Sequence, residues 1–209
     1  PFNWLLFLVP QSLIIEFMTY LIVLKIGLCG LTMTAYLQKK FRTNNLGMAI
    51  FGICYALSGY MAAYSWNIMW LDCLWLAPLI LLGLERLVKE NRPFLYCVTL
   101  AAAILTNYYI SIMLCIFLVL YFVCQMILLP RKTVGQYLAR VGNFALFSLI
   151  AGGIAAILLI PAAHALMTTA SANTTFPTTV TSYFSIVEML ARHLVDVEVE
   201  IGLDHWPNL

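Results

Sequence analysis

The sequence predicts an all-α polytopic membrane protein, and three observations carry that prediction. The chain has 209 residues, of which 63% are hydrophobic and only 10% charged, with a mean hydropathy of +0.94. A soluble domain carries about 25% charged residues, so lipid is the main solvent of this chain. Nine of the 11 Lys and Arg residues fall in three clusters: Lys39/Lys40/Arg42, Arg86/Lys89/Arg92 and Arg131/Lys132/Arg140. The clusters are separated by apolar stretches close to the ~20 residues a spanning helix needs. Positive charge in short loops stays cytoplasmic, so the three clusters are expected on that side of a plasma membrane. Basic residues confined to short loops make no continuous face for nucleic acid.

The elements follow in order. Residues 1 to 12 hold Phe2, Trp4, Phe7 and two prolines, an interfacial approach with aromatic anchors. Six spans are expected, at about 13–37, 46–64, 68–87, 94–106, 110–129 and 141–163, which together make a transmembrane region over 1–163. The first contains Glu16 and Lys25, and the third contains Asp72 and Pro78 and runs into a charged loop from Glu85 to Arg92. The stretch from Pro93 to Leu129 has 37 residues between two basic flanks. Two full crossings want about 40, so a pair of short helices is expected, meeting at Asn107-Tyr108-Tyr109 in a shallow hairpin. A turn inside the membrane is tolerated only where protein or a wet cavity covers it. In the last span Gly152-Gly153 would let a neighbouring helix approach closely. Residues 164–209 form an external segment, with Ser and Thr crowding 168–185 and a short amphipathic helix over 186–195. That segment carries five of the nine acidic residues and one Arg. The chain opens inside an apolar run and stops in a loop, as an internal piece of a longer protein does.

Lys25 and Arg192 are the two basic residues outside the clusters. Lys25 falls about 18 Å along its helix, near the bilayer centre, where a charge costs about 2.5–3.5 kcal/mol and must face protein or water. Its readings are contact with a phosphate or an acidic partner, a structural pair with Asp72 or Glu16, or a neutral amine. Asp72 lies about one turn inside the outer surface. It could take a proton from a substrate hydroxyl as the candidate catalytic residue, hold a cation, or pair with Lys25. Trp66, Asn67 and Trp70 precede it and Trp75 follows; such tryptophans form an interface belt or stack on sugar rings. Asn107, Tyr108 and Tyr109 either satisfy open backbone groups at the hairpin turn or line a sugar or lipid cavity. In the external segment Arg192, beside His193, suits a phosphate through its planar fork or anchors at the interface. Asp204, His205 and Trp206 close the chain, and an Asp beside a His can hold a divalent cation or orient an imidazole.

Several strings in order carry a resemblance: Pro1-Phe2-Asn3, Leu24-Lys25-Ile26-Gly27-Leu28, NIMWLD at 67–72 and APLILLGLERL at 77–87. NYYISIMLCIFLVLYF at 107–122, MLARHLV at 189–195 and GLDHWPN at 202–208 complete it. Together they resemble the YfhO family of bacterial membrane proteins, which is similar to glycosyltransferases of the GT-C type. The resemblance implies a larger GT-C-like fold of which this chain is the front-middle part. It implies a polyprenyl-phosphate sugar as donor and an extracellular polymer such as lipoteichoic acid as acceptor. It also implies a catalytic acidic residue in the first external loop, mostly before Pro1, leaving Lys25 and Arg192 as donor-phosphate candidates. A transporter or flippase of a lipid-linked sugar and a non-catalytic scaffold are the competing expectations.

Overall fold

The computed structural model describes residues 5–7, 9–129 and 133–168, and the elements it assigns there are all helical. The helices are α1 (Ile14–Phe41), α2 (Leu46–Ala56), α3 (Gly59–Tyr64), α4 (Ile68–Glu90), α5 (Phe94–Thr106), α6 (Tyr108–Leu128), α7 (Val134–Ile154) and α8 (Ala156–Met167). Five helical segments are long and apolar enough to cross a membrane: Gln11–Phe41, Leu46–Tyr64, Ile68–Glu90, Tyr108–Leu128 and Val134–Ile154. Two more, α5 and α8, are apolar but shorter. The protein is thus an all-α polytopic membrane protein. By internal contacts the chain divides into Pro1–Ala162 and Ala163–Leu209. The first unit holds the packing described below; the second contributes the C-terminal end of α8 to the described residues.

Helix α4 is the hub. It packs against α1, α5, α6 and α7. In its apolar window 56% of residues are buried, against at most 22% in any other span. One core cluster joins Leu76, Ile80, Leu84 and Leu87 of α4 to Tyr96, Leu100 and Ile104 of α5, Leu118 and Phe122 of α6, and Ala151 of α7. Phe144 of α7 stacks on Phe122, with ring centroids 4.3 Å apart. Between helices in lipid the hydrophobic drive is weak, so close backbone approach matters more. It occurs where a side chain would not fit: a Cβ on Gly83 would lie 2.7 Å from the Tyr96 Cα, and one on Gly52 would meet Thr34 and stand 2.6 Å from the Gly30 carbonyl.

The ends of the helices follow local chemistry. α1 and α4 both finish on a left-handed residue, Arg42 (φ 52°) and Asn91 (φ 56°), whose N–H closes the last turn. Pro93 then forbids continuation of α4. Asn45 opens α2, its side chain accepting from the Met48 N–H at 3.3 Å.

The span expected over 46–64 is present as one apolar segment, interrupted at Leu57-Ser58, where Ser58 turns extended (ψ 159°) and Gly59 begins α3; a Ser-Gly pair is a poor place to propagate a helix. Other expectations need correction. The last span does not run from 141 to 163. It begins at Val134 and breaks at Ala155, just after Gly152-Gly153, with Pro161 inside α8. Arg140 therefore belongs to a helix rather than a loop. Ala151 and Ala155 flank the glycine pair and are fully buried in the core, while Gly152 and Gly153 meet no atom of the described residues within 4 Å where a Cβ would stand. Of the hairpin pair only α5 is short; α6 has 21 residues and starts at Tyr108, not 110.

Gly83→Ala is expected to push α5 off α4 and cost about 1–3 kcal/mol, as overpacking does. Thermal unfolding of the detergent-solubilised protein checks this, and Gly152→Ala should show no comparable loss.

Candidate functional site

Two buried charge centres sit on the interface of α1 with α4. At the first, Lys25 is fully buried and its Nζ donates to the Asp72 carboxylate and to the Ile68 carbonyl, each at 3.0 Å. The other Asp72 oxygen accepts from the Trp75 indole N–H at 3.2 Å. Cys29, Ala56, Met61 and Leu71 form a small apolar cluster around this level, with Ile22, Ile26, Tyr55 and Leu74 against it. The Tyr55 hydroxyl donates to the Leu74 carbonyl at 2.9 Å, which ties α2 to α4. Of the acidic partners open to Lys25 in the sequence, Asp72 is the one that meets it, while Glu16 is exposed in the first turn of α1.

The second centre was missed. Glu85 is not in a charged loop but inside α4, and only 5% exposed. One of its oxygens accepts from Tyr36 at 3.1 Å and Tyr121 at 2.6 Å and pairs with Lys40 at 3.2 Å. The other accepts from Lys89 at 2.7 Å. Lys40 Nζ also donates to both phenols. Helices α1, α4 and α6 thus meet on one carboxylate. The sequence held a signal: Glu85 stands inside the apolar run from Pro78 to Val88, four residues before Lys89.

From Asp72 to Glu85 is 13 residues, or about 20 Å along α4, and from Lys25 to Lys40 about 22 Å along α1. The two helices therefore run parallel, pinned at two levels. Between the pins α1 turns Cys29, Thr32 and Tyr36 inward, so its buried face mixes apolar and polar groups, while the exposed Val23, Leu24 and Leu31 are apolar. Lys39, Lys40 and Arg42 at the end of α1, Arg86, Lys89 and Arg92 at the end of α4, and Arg140 in α7 all lie at the Glu85 end, since Arg140 Nε donates to the Val88 carbonyl at 2.9 Å.

The remaining candidates fall as follows. Asn107 forms the α5–α6 turn almost alone: it is extended (φ −159°), its N–H bonds to Ala103 and its side chain accepts from Ile110 N–H at 2.9 Å. Its side-chain oxygen thus satisfies one of the open N–H groups at the start of α6. The turn packs on α4 at Cys73, whose Sγ is 3.7 Å from the Asn107 carbonyl and 3.6 Å from the Ser111 hydroxyl. Tyr108 is half-buried and Tyr109 exposed. Trp66 is exposed and donates to the Ala63 carbonyl; Trp70 stands against Tyr64, with centroids 5.8 Å apart; Asn67 precedes α4 without a side-chain cap. Among the described residues no hydrogen bond or ring contact joins these tryptophans to the Asn107 turn. Nor does any group of three or more His, Cys, Asp or Glu side chains there stand ready to hold a metal ion. Arg192, His193, Asp204, His205 and Trp206 lie outside the described residues.

A bundle of apolar helices with paired charges buried between them defines a multi-pass membrane protein. A family model described as "Bacterial membrane protein YfhO" matches residues 1–199. The chain belongs to that family. No curated protein and no solved structure matches it.

Breaking a buried pair from one side leaves an uncompensated charge. Lys25→Met is therefore expected to cost about 3 kcal/mol, and Lys25→Met with Asp72→Leu to regain most of it; a double-mutant cycle on thermal stability measures the coupling. At the second centre Tyr121→Phe should cost about 1 kcal/mol, for one hydrogen bond, and Glu85→Ala about 3 kcal/mol.

Proposed function

We propose that the chain is part of a membrane glycosyltransferase that moves a sugar from a polyprenyl-phosphate donor to a cell-surface polymer such as lipoteichoic acid. The transfer takes place at the external face of the bacterial plasma membrane. Membership of the YfhO family carries the reading. The distribution of charge supports the choice of face. Seven of the basic residues gather at the Glu85 end of the bundle, which the positive-inside rule places in the cytoplasm. The Lys25–Asp72 pair then lies toward the external side, and residues 164–209 are external.

In this reading the acceptor hydroxyl attacks the anomeric carbon and a carboxylate takes the hydroxyl proton. The bond from that carbon to the phosphate oxygen breaks, and the lipid phosphate leaves with the electron pair. Cationic groups stabilise the charge that grows on it. Asp72 already accepts from Lys25 and Trp75, so it serves as a positioning residue that holds the outer parts of α1 and α4, and the base comes from another acidic residue. Lys25 is likewise engaged by Asp72 and Ile68. Arg192 is thus the better donor-phosphate contact, permanently charged and with a fork that fits phosphate. In this reading Trp66 and Trp70, close to Asp72 in the sequence, stack on the sugar.

One observation favours a second reading. The inward face of α1 carries Lys25, Cys29, Thr32, Tyr36 and Lys40 from one charge centre to the other. Two buried charge centres with Thr32 and Tyr36 between them also suit a path for a lipid-linked sugar headgroup in a flippase.

The test uses the full-length protein in sealed, oriented vesicles, with labelled polyprenyl-phosphate sugar supplied outside. Label is expected in extracellular polymer, with the rate falling roughly a hundredfold in Arg192→Ala. An unchanged rate and donor affinity in Arg192→Ala would remove Arg192 from the site. Label that stays on lipid and changes leaflet would favour the flippase; a stable partner with no movement of label would leave a scaffold.

A further inference from the structure

At the basic end of the bundle, a cavity of about 210 Å³ opens between the last turns of α4 and the first turns of α7. Its polar lining is Lys89, Asn91, Gln136, Arg140 and Asn143. Its size is below the ~300–1,000 Å³ typical of sites for drug-sized ligands, so it suits a headgroup or a small anion rather than a whole substrate.

The charges in it do not balance. Lys89 is half-exposed and bound to Glu85. Arg140 has no carboxylate within salt-bridge distance among the described residues. Its Nε is spent on the Val88 carbonyl, and its Nη1 is buried with no hydrogen-bond partner. A buried guanidinium donor left unpaired costs free energy, so a ligand that supplies an oxygen there gains what the apo site lacks. Two further features favour an anion. Gln136 stands in the first turn of α7, where the helix dipole is positive, its own N–H being bonded to the Thr133 carbonyl at 3.0 Å. Asn143 Nδ2 donates to Asn91 Oδ1 at 2.7 Å, holding the two walls together. On the opposite face of α7 Val134, Leu138 and Val141 are exposed and apolar, a surface suited to acyl chains in a bilayer.

We infer that this α4–α7 cavity binds a phosphate group, the chemistry shared by an anionic phospholipid headgroup and a soluble phosphate, with Arg140 as its principal ligand. Basic pockets between membrane helices at the surface of a bilayer are suited to such headgroups. Nη1 is covered by its neighbours, so a ligand reaches it as side chains at the rim move aside.

The experiment uses full-length protein in nanodiscs or detergent. The probes are phosphatidylglycerol, phosphatidylcholine and inorganic phosphate, and the readouts are thermal stabilisation and retained lipid by native mass spectrometry. Phosphatidylglycerol should stabilise the wild type and phosphatidylcholine should not. Arg140→Gln should weaken phosphatidylglycerol binding by roughly tenfold or more, the worth of a charge-assisted hydrogen bond. Because Arg140 also ties α7 to α4, a second variant guards against misfolding: Gln136→Glu suits the start of a helix, yet it places a negative charge in the cavity and should abolish binding. Stabilisation by inorganic phosphate alone, lost in both variants, assigns the soluble source. Equal binding in wild type, Arg140→Gln and Gln136→Glu would overturn the inference, as would equal stabilisation by phosphatidylcholine.

Discussion

Everything in this bundle depends on the pairing of charge along the contact of α1 with α4. Lipid offers no substitute partner for an ammonium or a carboxylate, so each buried ion must find its counter-ion inside the protein. Two such pairings about 20 Å apart fix both the direction and the register of the two helices. A shift of α1 by one turn, about 5.4 Å, would part both centres together. Apolar packing alone could not set register so firmly, because one row of leucines resembles the next. Helices α2 and α3 then have one task, to bring the chain back so that α4 can run parallel to α1.

The position of α4 at the hub follows from this. It gives one face to α1 through Asp72 and Glu85, and another to α5 through Gly83, where backbones nearly touch. Tyr121 brings α6 onto the same carboxylate that receives Tyr36 and Lys40. Arg140 brings α7 onto the end of α4. Each neighbour is thus held by at least one directional contact, while the apolar cluster around Ile80, Leu84 and Leu100 fills the space between. Polar contacts specify and apolar contacts fill, which reverses the usual division of labour in a water-soluble core.

The helical architecture was legible because lipid writes it in composition: long apolar runs ended by basic clusters leave few alternatives. Lys25 and Asp72 were legible too, since an ion at membrane depth always requires an explanation. Glu85 was not, because three basic neighbours within seven residues made it look like part of a solvated loop. Only its helical phase, which sequence alone does not orient, puts it inward. The breaks at Leu57-Ser58 and Ala155 were hidden for a related reason. Hydropathy averages over a window and passes smoothly through Ser-Gly and Gly-Gly pairs whose effect is local. Asn107 was legible as a turn, but the cap its side chain gives the Ile110 N–H is a matter of backbone geometry that composition does not carry.

The Lys25–Asp72 pair also has a consequence for how the protein is made. The two residues are separated by 47 positions in the chain. At about 5–20 residues per second, Asp72 is synthesised roughly 2–10 s after Lys25. Throughout that interval α1 carries an ammonium with its eventual counter-ion not yet synthesised, at a cost near 3 kcal/mol for lipid exposure. The pairing that locks α1 onto α4 is therefore completed only once α4 has been made, so the order of synthesis along the chain sets the order in which these helices can be fixed together.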